Sequence, residues 1–124
     1  MEDVRRIGLS LLETSADERG VSVKYGSKQK GFCWTWAERI EPKRPKEINP
    51  EVLAIRTPDL DARDALIMSD PEKFFTEPHY NGYPAVLVRL KNIELDELEE
   101  LLIEGWRCMA PKVLVKEYDQ GKRI

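Results

Sequence analysis

The chain has 124 residues, 35% of them charged and 41% apolar, with a formal net charge of −3. That length suits a single domain, read as spanning residues 1–124, and that apolar share is enough for one core. The sequence excludes a membrane span of about eighteen apolar residues, shows no signal-peptide run at its N-terminus and is too acidic for indiscriminate attraction to polyanions, so a cytoplasmic location and no membrane partner are expected.

Residues 2–13 read as an amphipathic helix, with Val4, Ile7 and Leu11 at helical spacing and Glu2 and Asp3 where the helix dipole favours acids. Residues 21–25 alternate as a strand, Val21, Val23 and Tyr25 facing one way and Ser22 and Lys24 the other. The glycine-bounded turn 26–31 signals a hairpin into a second strand over 32–40. Strict period two there puts Phe32, Trp34 and Trp36 on one face and Cys33, Thr35 and Ala37 on the other. The proline-rich segment 41–50 reads as a basic loop, since proline lacks the amide donor a central strand needs, and 51–57 as a third strand.

Asp59 is positioned to cap a helix over 60–69, with Leu60, Leu66 and Ile67 turned inward. Phe74 and Phe75 start a short strand that Pro78 stops, Asn81-Gly82 is a turn dipeptide, and 85–90 reads as the last strand. Residues 94–109 form a long helix whose stripe is Leu95, Leu98, Leu101, Leu102 and Trp106. Pro111 suits the first turn of a final helix over 111–118. The expected fold class is α+β, in the order α-β-β-β-α-β-β-α: two layers, with an antiparallel sheet of about five strands and all helices on one face.

Charge is distributed unevenly along this frame. Residues 19–56 hold nine basic side chains against four acidic ones, so that segment carries +5 and the rest −8. Lys24, Lys28, Lys30, Arg39, Lys43, Arg44 and Lys46 are therefore the candidate phosphate contacts; the competing reading is a solvated edge whose lysines prevent strand-to-strand association. Trp34 and Trp36 are stacking platforms for single-stranded bases if their face is open, and core if it is covered. His79 is the one imidazole. No nucleophile motif accompanies it, so it is read as a turn-fixing residue or as part of a small pocket with Tyr80, Asn81 and Lys112. Cys33 and Cys108 match no metal spacing and are read as buried thiols. The acidic face of 94–104, including Glu97, Glu100 and Glu104, reads as solvated. No catalytic residue, metal or cofactor is assigned.

One further signal comes from motif order. Asp70-Pro71-Glu72-Lys73-Phe74-Phe75 is followed by Pro78-His79-Tyr80-Asn81-Gly82-Tyr83-Pro84 and the strand Val86–Leu90. Asp96-Glu97-Leu98-Glu99-Glu100-Leu101 and Trp106-Arg107-Cys108-Met109-Ala110-Pro111-Lys112 complete the series. In these segments, over about residues 59–118, the chain resembles the MmcQ/YjbR family of small bacterial proteins. That resemblance implies a compact α+β fold with a twisted antiparallel sheet, similar to frataxin-like and type III secretion chaperone-like folds. It also implies a DNA-binding label, which rests on analogy with a double-wing architecture. The chain departs from the family in having Leu11-Leu12-Glu13-Thr14 where a Leu-Pro-Gly is usual, and in its long loop at 41–50. The expectation is a non-enzymatic binding domain with DNA as partner, or alternatively a protein-interaction module.

Overall fold

The computed structural model describes residues 2–38, 43, 45 and 47–121. Four α-helices and six strands follow one another as α1 (Glu2–Leu9), β1 (Thr14–Ala16), β2 (Gly20–Tyr25), β3 (Lys28–Glu38), β4 (Glu47–Arg56), α2 (Leu60–Ser69), β5 (Phe74–Phe75), β6 (Ala85–Arg89), α3 (Leu95–Met109) and α4 (Lys112–Gly121). Single 3-10 turns at Pro78–Tyr80 and Leu90–Asn92 bracket β6. The strands form one antiparallel sheet in the order β1-β2-β3-β4-β6-β5. Both edge strands are short, three and two residues, which leaves little unpaired backbone for edge-to-edge association.

All four helices contribute to one core, on one face of the sheet. Val4 and Ile7 of α1, and Leu98, Leu102 and Trp106 of α3, are buried against Val21, Val23, Leu53, Ile55, Val86 and Val88, with Leu66 of α2 and Tyr118 of α4 packed at the margin. Trp106 is fully buried, and its indole N–H donates to the Leu12 carbonyl at 3.0 Å, which satisfies the one polar atom the burial would orphan. Each such large apolar side chain contributes about 1.5–3 kcal/mol by leaving water. The two-layer α+β architecture is the one the sequence implies, with a sixth strand added.

The corrections are local. The first helix ends at Leu9 rather than at residue 13, and Thr14–Ala16, too short and polar to show a pattern, pair with β2 as an edge strand. Phe32 does not share a face with the two tryptophans. Ser22 pairs with Gly31 while Val21 pairs with Cys33, so Phe32 is the extra residue of a β-bulge and packs in the helix-side core beside Cys33. β4 begins at Glu47 and contains Pro50, inside the segment expected to be loop. Proline is tolerated there because the register jumps from Trp36↔Asn49 to Thr35↔Leu53, and pairing with β6 starts only at Val52. Leu60 and Leu95, expected inward, are 38% and 49% exposed. The last helix runs on to Gly121, past the expected end at residue 118. Asp59 caps α2 as expected, its carboxylate accepting from the Ala62 amide at 2.7 Å.

Candidate nucleic-acid interface

Among the described residues, no helix lies on the second face of the sheet. Gly20, Trp34, Ala54, Leu87 and Phe75 lie in one row across five strands. Val52, Ala54 and Leu87 form its buried floor, and Trp34, Trp36, Phe75 and Tyr80 pack over that floor, each only partly buried. Half of the chain's aromatic residues, these four and Tyr83, thus gather outside the main core. The rings meet edge to face: Trp36 on Phe75 at 5.8 Å between centroids, Trp34 on Tyr83 at 6.1 Å and Tyr80 on Tyr83 at 6.2 Å.

Two arginines complete this face. Arg89 pairs with Val52 and so shares its side of the sheet; its guanidinium carbon lies 4.1 Å from the Phe75 ring centroid. Arg56, at the end of β4, stands 4.8 Å over Tyr83. Each keeps its charge over an aromatic ring at the margin of an apolar floor. Sequence reasoning missed both. For Arg89 the signal was present, since it follows Leu87 by two residues on a regular strand.

The loop carrying Tyr80 and Tyr83 is held from below by Arg63, another residue the sequence gave no reason to single out. Arg63 lies on α2 and is 5% exposed. Its Nη1 donates to the carbonyls of Tyr80 at 2.7 Å, Asn81 at 2.9 Å and Tyr83 at 3.3 Å, while Asp64 accepts from Nε and pairs with Nη2. The planar fork suits several fixed acceptors at once. From above, the Trp34 indole N–H donates to Tyr80 Oη at 2.9 Å. The Glu77 carboxylate caps the 3-10 turn by accepting from the His79 amide.

The sequence-derived candidates fall differently. Among the hairpin lysines, Lys24 pairs with Gln29 and stands on the open face, whereas Lys28 and Lys30 pair with Tyr25 and Val23 on the other side. Lys30 Nζ lies 3.9 Å over the Tyr25 ring. The described hairpin lysines are thus divided between the two sides of the sheet. Lys43 is exposed, and Arg39, Arg44 and Lys46 lie outside the described residues. The suggested pocket is not assembled. Tyr80 belongs to the open face, the His79 side chain is exposed beside Glu77, and Lys112 opens α4 in the helical layer, where it lines a groove with Arg107 and Asp119. The turn is fixed by Arg63 and Glu77 rather than by the imidazole.

Burial pushes the Cys33 thiol up to about 12, and burial together with the Glu104 charge also raises Cys108, so neither is poised as a nucleophile. On α3, Glu97 pairs with Lys73 and Glu104 approaches Arg107, while Asp96, Glu99 and Glu100 are exposed on the outer side of the helical layer. Among the described residues, no helix is long and apolar enough to cross a membrane.

Comparison with known proteins yields relatives without assigned roles. The chain is 47% identical over 68 residues to an uncharacterized protein of Mycobacterium bovis and, to the same extent, to one of Mycobacterium tuberculosis. The match covers 55% of this chain and 53% of theirs, so the chain spans about half the length of the curated relatives it matches. No family model and no solved structure matches.

Proposed function

We propose that this chain is a non-enzymatic, MmcQ/YjbR-like nucleic-acid-binding domain that takes a single DNA strand on the open face of its sheet. One observation carries the reading: Trp34 and Trp36 stand on the side that none of the described helices covers, next to rings that carry arginines. Bases have π-faces whatever their identity, and a surface of aromatics with interleaved cations stacks bases and meets phosphates at once. The charge distribution supports the same side. The exposed acids of α3 lie on the helical layer, where they repel a polyanion, while Arg89, Arg56 and Lys24 occupy the sheet face.

The chemistry differs from that of a basic wing, because affinity would come from rings and a few cations on β4 and β6. The test is fluorescence anisotropy of a labelled oligonucleotide of about ten nucleotides, single- or double-stranded, over a range of salt. The reading expects the single strand to bind more tightly, with a shallow salt slope reflecting two or three phosphate contacts. Equal or tighter binding of the duplex would contradict it.

A further inference from the structure

The two described arginines of the open face differ in what their donors already do. Arg89 Nη1 donates to the carbonyls of Pro71 at 3.3 Å and Glu72 at 3.2 Å, so part of its fork is engaged within the fold. Arg63, beneath the loop, is engaged by three carbonyls and Asp64. Arg56 is different. Among the described residues no carbonyl or carboxylate engages its guanidinium, which stands 4.8 Å over the Tyr83 ring. Its Nε is out of water and has no hydrogen-bond partner.

The register fixes where this fork stands. β4 pairs with β6 without a break from Val52 to Arg56, so Arg56 lies on the same side of the sheet as Val52 and Ala54. Ala54 is the register partner of Trp34, and the Trp34 indole meets the ring of Tyr83 at 6.1 Å. Arginine and indole thus touch one tyrosine. A base stacked on this surface lies against the rings with its phosphates outward, and its edge comes level with a guanidinium held at ring height.

A guanidinium offers donors and no acceptor. Guanine presents two adjacent acceptors, O6 and N7, that match the fork. Adenine places a donor beside N7, and the N4 of cytosine is likewise a donor. The Nε donor of Arg56 is already desolvated and unpaired in the free protein. Pairing with two acceptors offsets that cost, whereas a base that turns a donor toward it leaves the cost in place.

We propose, on the reading that the open face takes a single DNA strand, that Arg56 gives this face a preference for guanine by pairing with the O6 and N7 edge of a base stacked beside Trp34 and Tyr83.

The test is fluorescence anisotropy at low salt with labelled thymine strands of about ten nucleotides whose central position carries guanine, 7-deazaguanine, adenine or cytosine. The guanine strand is expected to bind about tenfold more tightly than the adenine and cytosine strands. 7-Deazaguanine keeps the π-face and lacks the N7 acceptor, so it should lose most of that advantage without any change to the protein. Arg56→Lys keeps the charge and removes the planar fork; with its fold checked by thermal unfolding, it should bind all four strands with equal affinity. Equal binding of the four strands by the parent chain would overturn the proposal and leave the single-strand reading intact. Tighter binding of cytosine than of guanine would overturn it too, as would a guanine preference that survives in 7-deazaguanine or in folded Arg56→Lys. Absence of binding to every strand would overturn both readings.

Discussion

The indole N–H of Trp34 donates to the hydroxyl of Tyr80 at 2.9 Å, joining β3 to a loop forty-six positions later in the chain. This bond ties the centre of the open face to the loop at its margin. Trp34 stands over the small Ala54 in its register row, and Tyr80 is in turn anchored through its backbone by Arg63. A side chain on α2 therefore determines where two of the face's five rings sit.

Tyr80→Phe removes the acceptor and leaves the ring in place. The half-buried indole N–H then loses its partner, and the expected loss is about 0.5–1.5 kcal/mol of unfolding free energy, read from urea melts. An unchanged midpoint would show that water replaces the hydroxyl without cost.

Arg63→Met keeps the volume of the stem and deletes the fork under the loop. Three carbonyls lose a charged donor at a site only 5% exposed. We expect a loss of about 2–4 kcal/mol, with broadened ring signals for Tyr80 and Tyr83 in NMR spectra. Arg63→Lys should recover little, because an ammonium cannot reproduce the planar geometry.

Gly20→Ala tests the tight approach of β2 to β3. A Cβ at Gly20 would fall 2.0 Å from the Cys33 carbonyl oxygen and 2.7 Å from Trp34 Cα, so backbone must move. A destabilisation of about 1–3 kcal/mol or more is expected, together with changed Trp34 fluorescence. Gly82→Ala is the control, since nothing lies within 4 Å of its Cβ and it should be close to neutral.

Acid stability should depend on Asp17. Its carboxylate accepts from the amides of Gly20 at 2.9 Å and Arg19 at 2.8 Å, and these bonds hold its pKa below the usual carboxylate value. A group whose pKa is depressed on folding contributes stability above its unfolded pKa, and that contribution is lost as pH falls through the folded one. Asp17→Asn, which keeps one acceptor oxygen but no titratable charge, should therefore flatten the fall in stability below about pH 4 in urea melts taken from pH 7 to pH 2. A fall as steep as in the parent chain would remove Asp17 as a contributor.

Local chemistry accounts for what the sequence made legible. The Asp59 cap, the strand over β6 and the alternation of Val21 and Val23 against Ser22 and Lys24 in β2 depend on neighbours a few residues apart, and they stand as expected, while Pro111 sits one position ahead of α4 rather than in its first turn. Period two placed Trp34 and Trp36 together but could not say on which side, because the side depends on where the helices pack. The bulge at Phe32 and the jump around Pro50 are properties of strand pairs and leave no periodic trace in one strand. Arg63 looked like any charged helix residue; its role comes from a loop that folds over it about twenty positions later. The basic count over 19–56 was correct as composition, but the register divides its described hairpin lysines between the two sides of the sheet.

The most direct test of the central claim is a titration at low salt of the parent chain and of Trp36→Ala and Arg89→Glu with a short single-stranded DNA. Trp106 is fully buried, so quenching of intrinsic fluorescence on binding would report on Trp34 and Trp36. The account predicts saturable quenching in the parent, with affinity reduced by about 1–3 kcal/mol in Trp36→Ala and by a clear margin in folded Arg89→Glu. Binding that is absent in the parent, or undiminished in both variants, would contradict it.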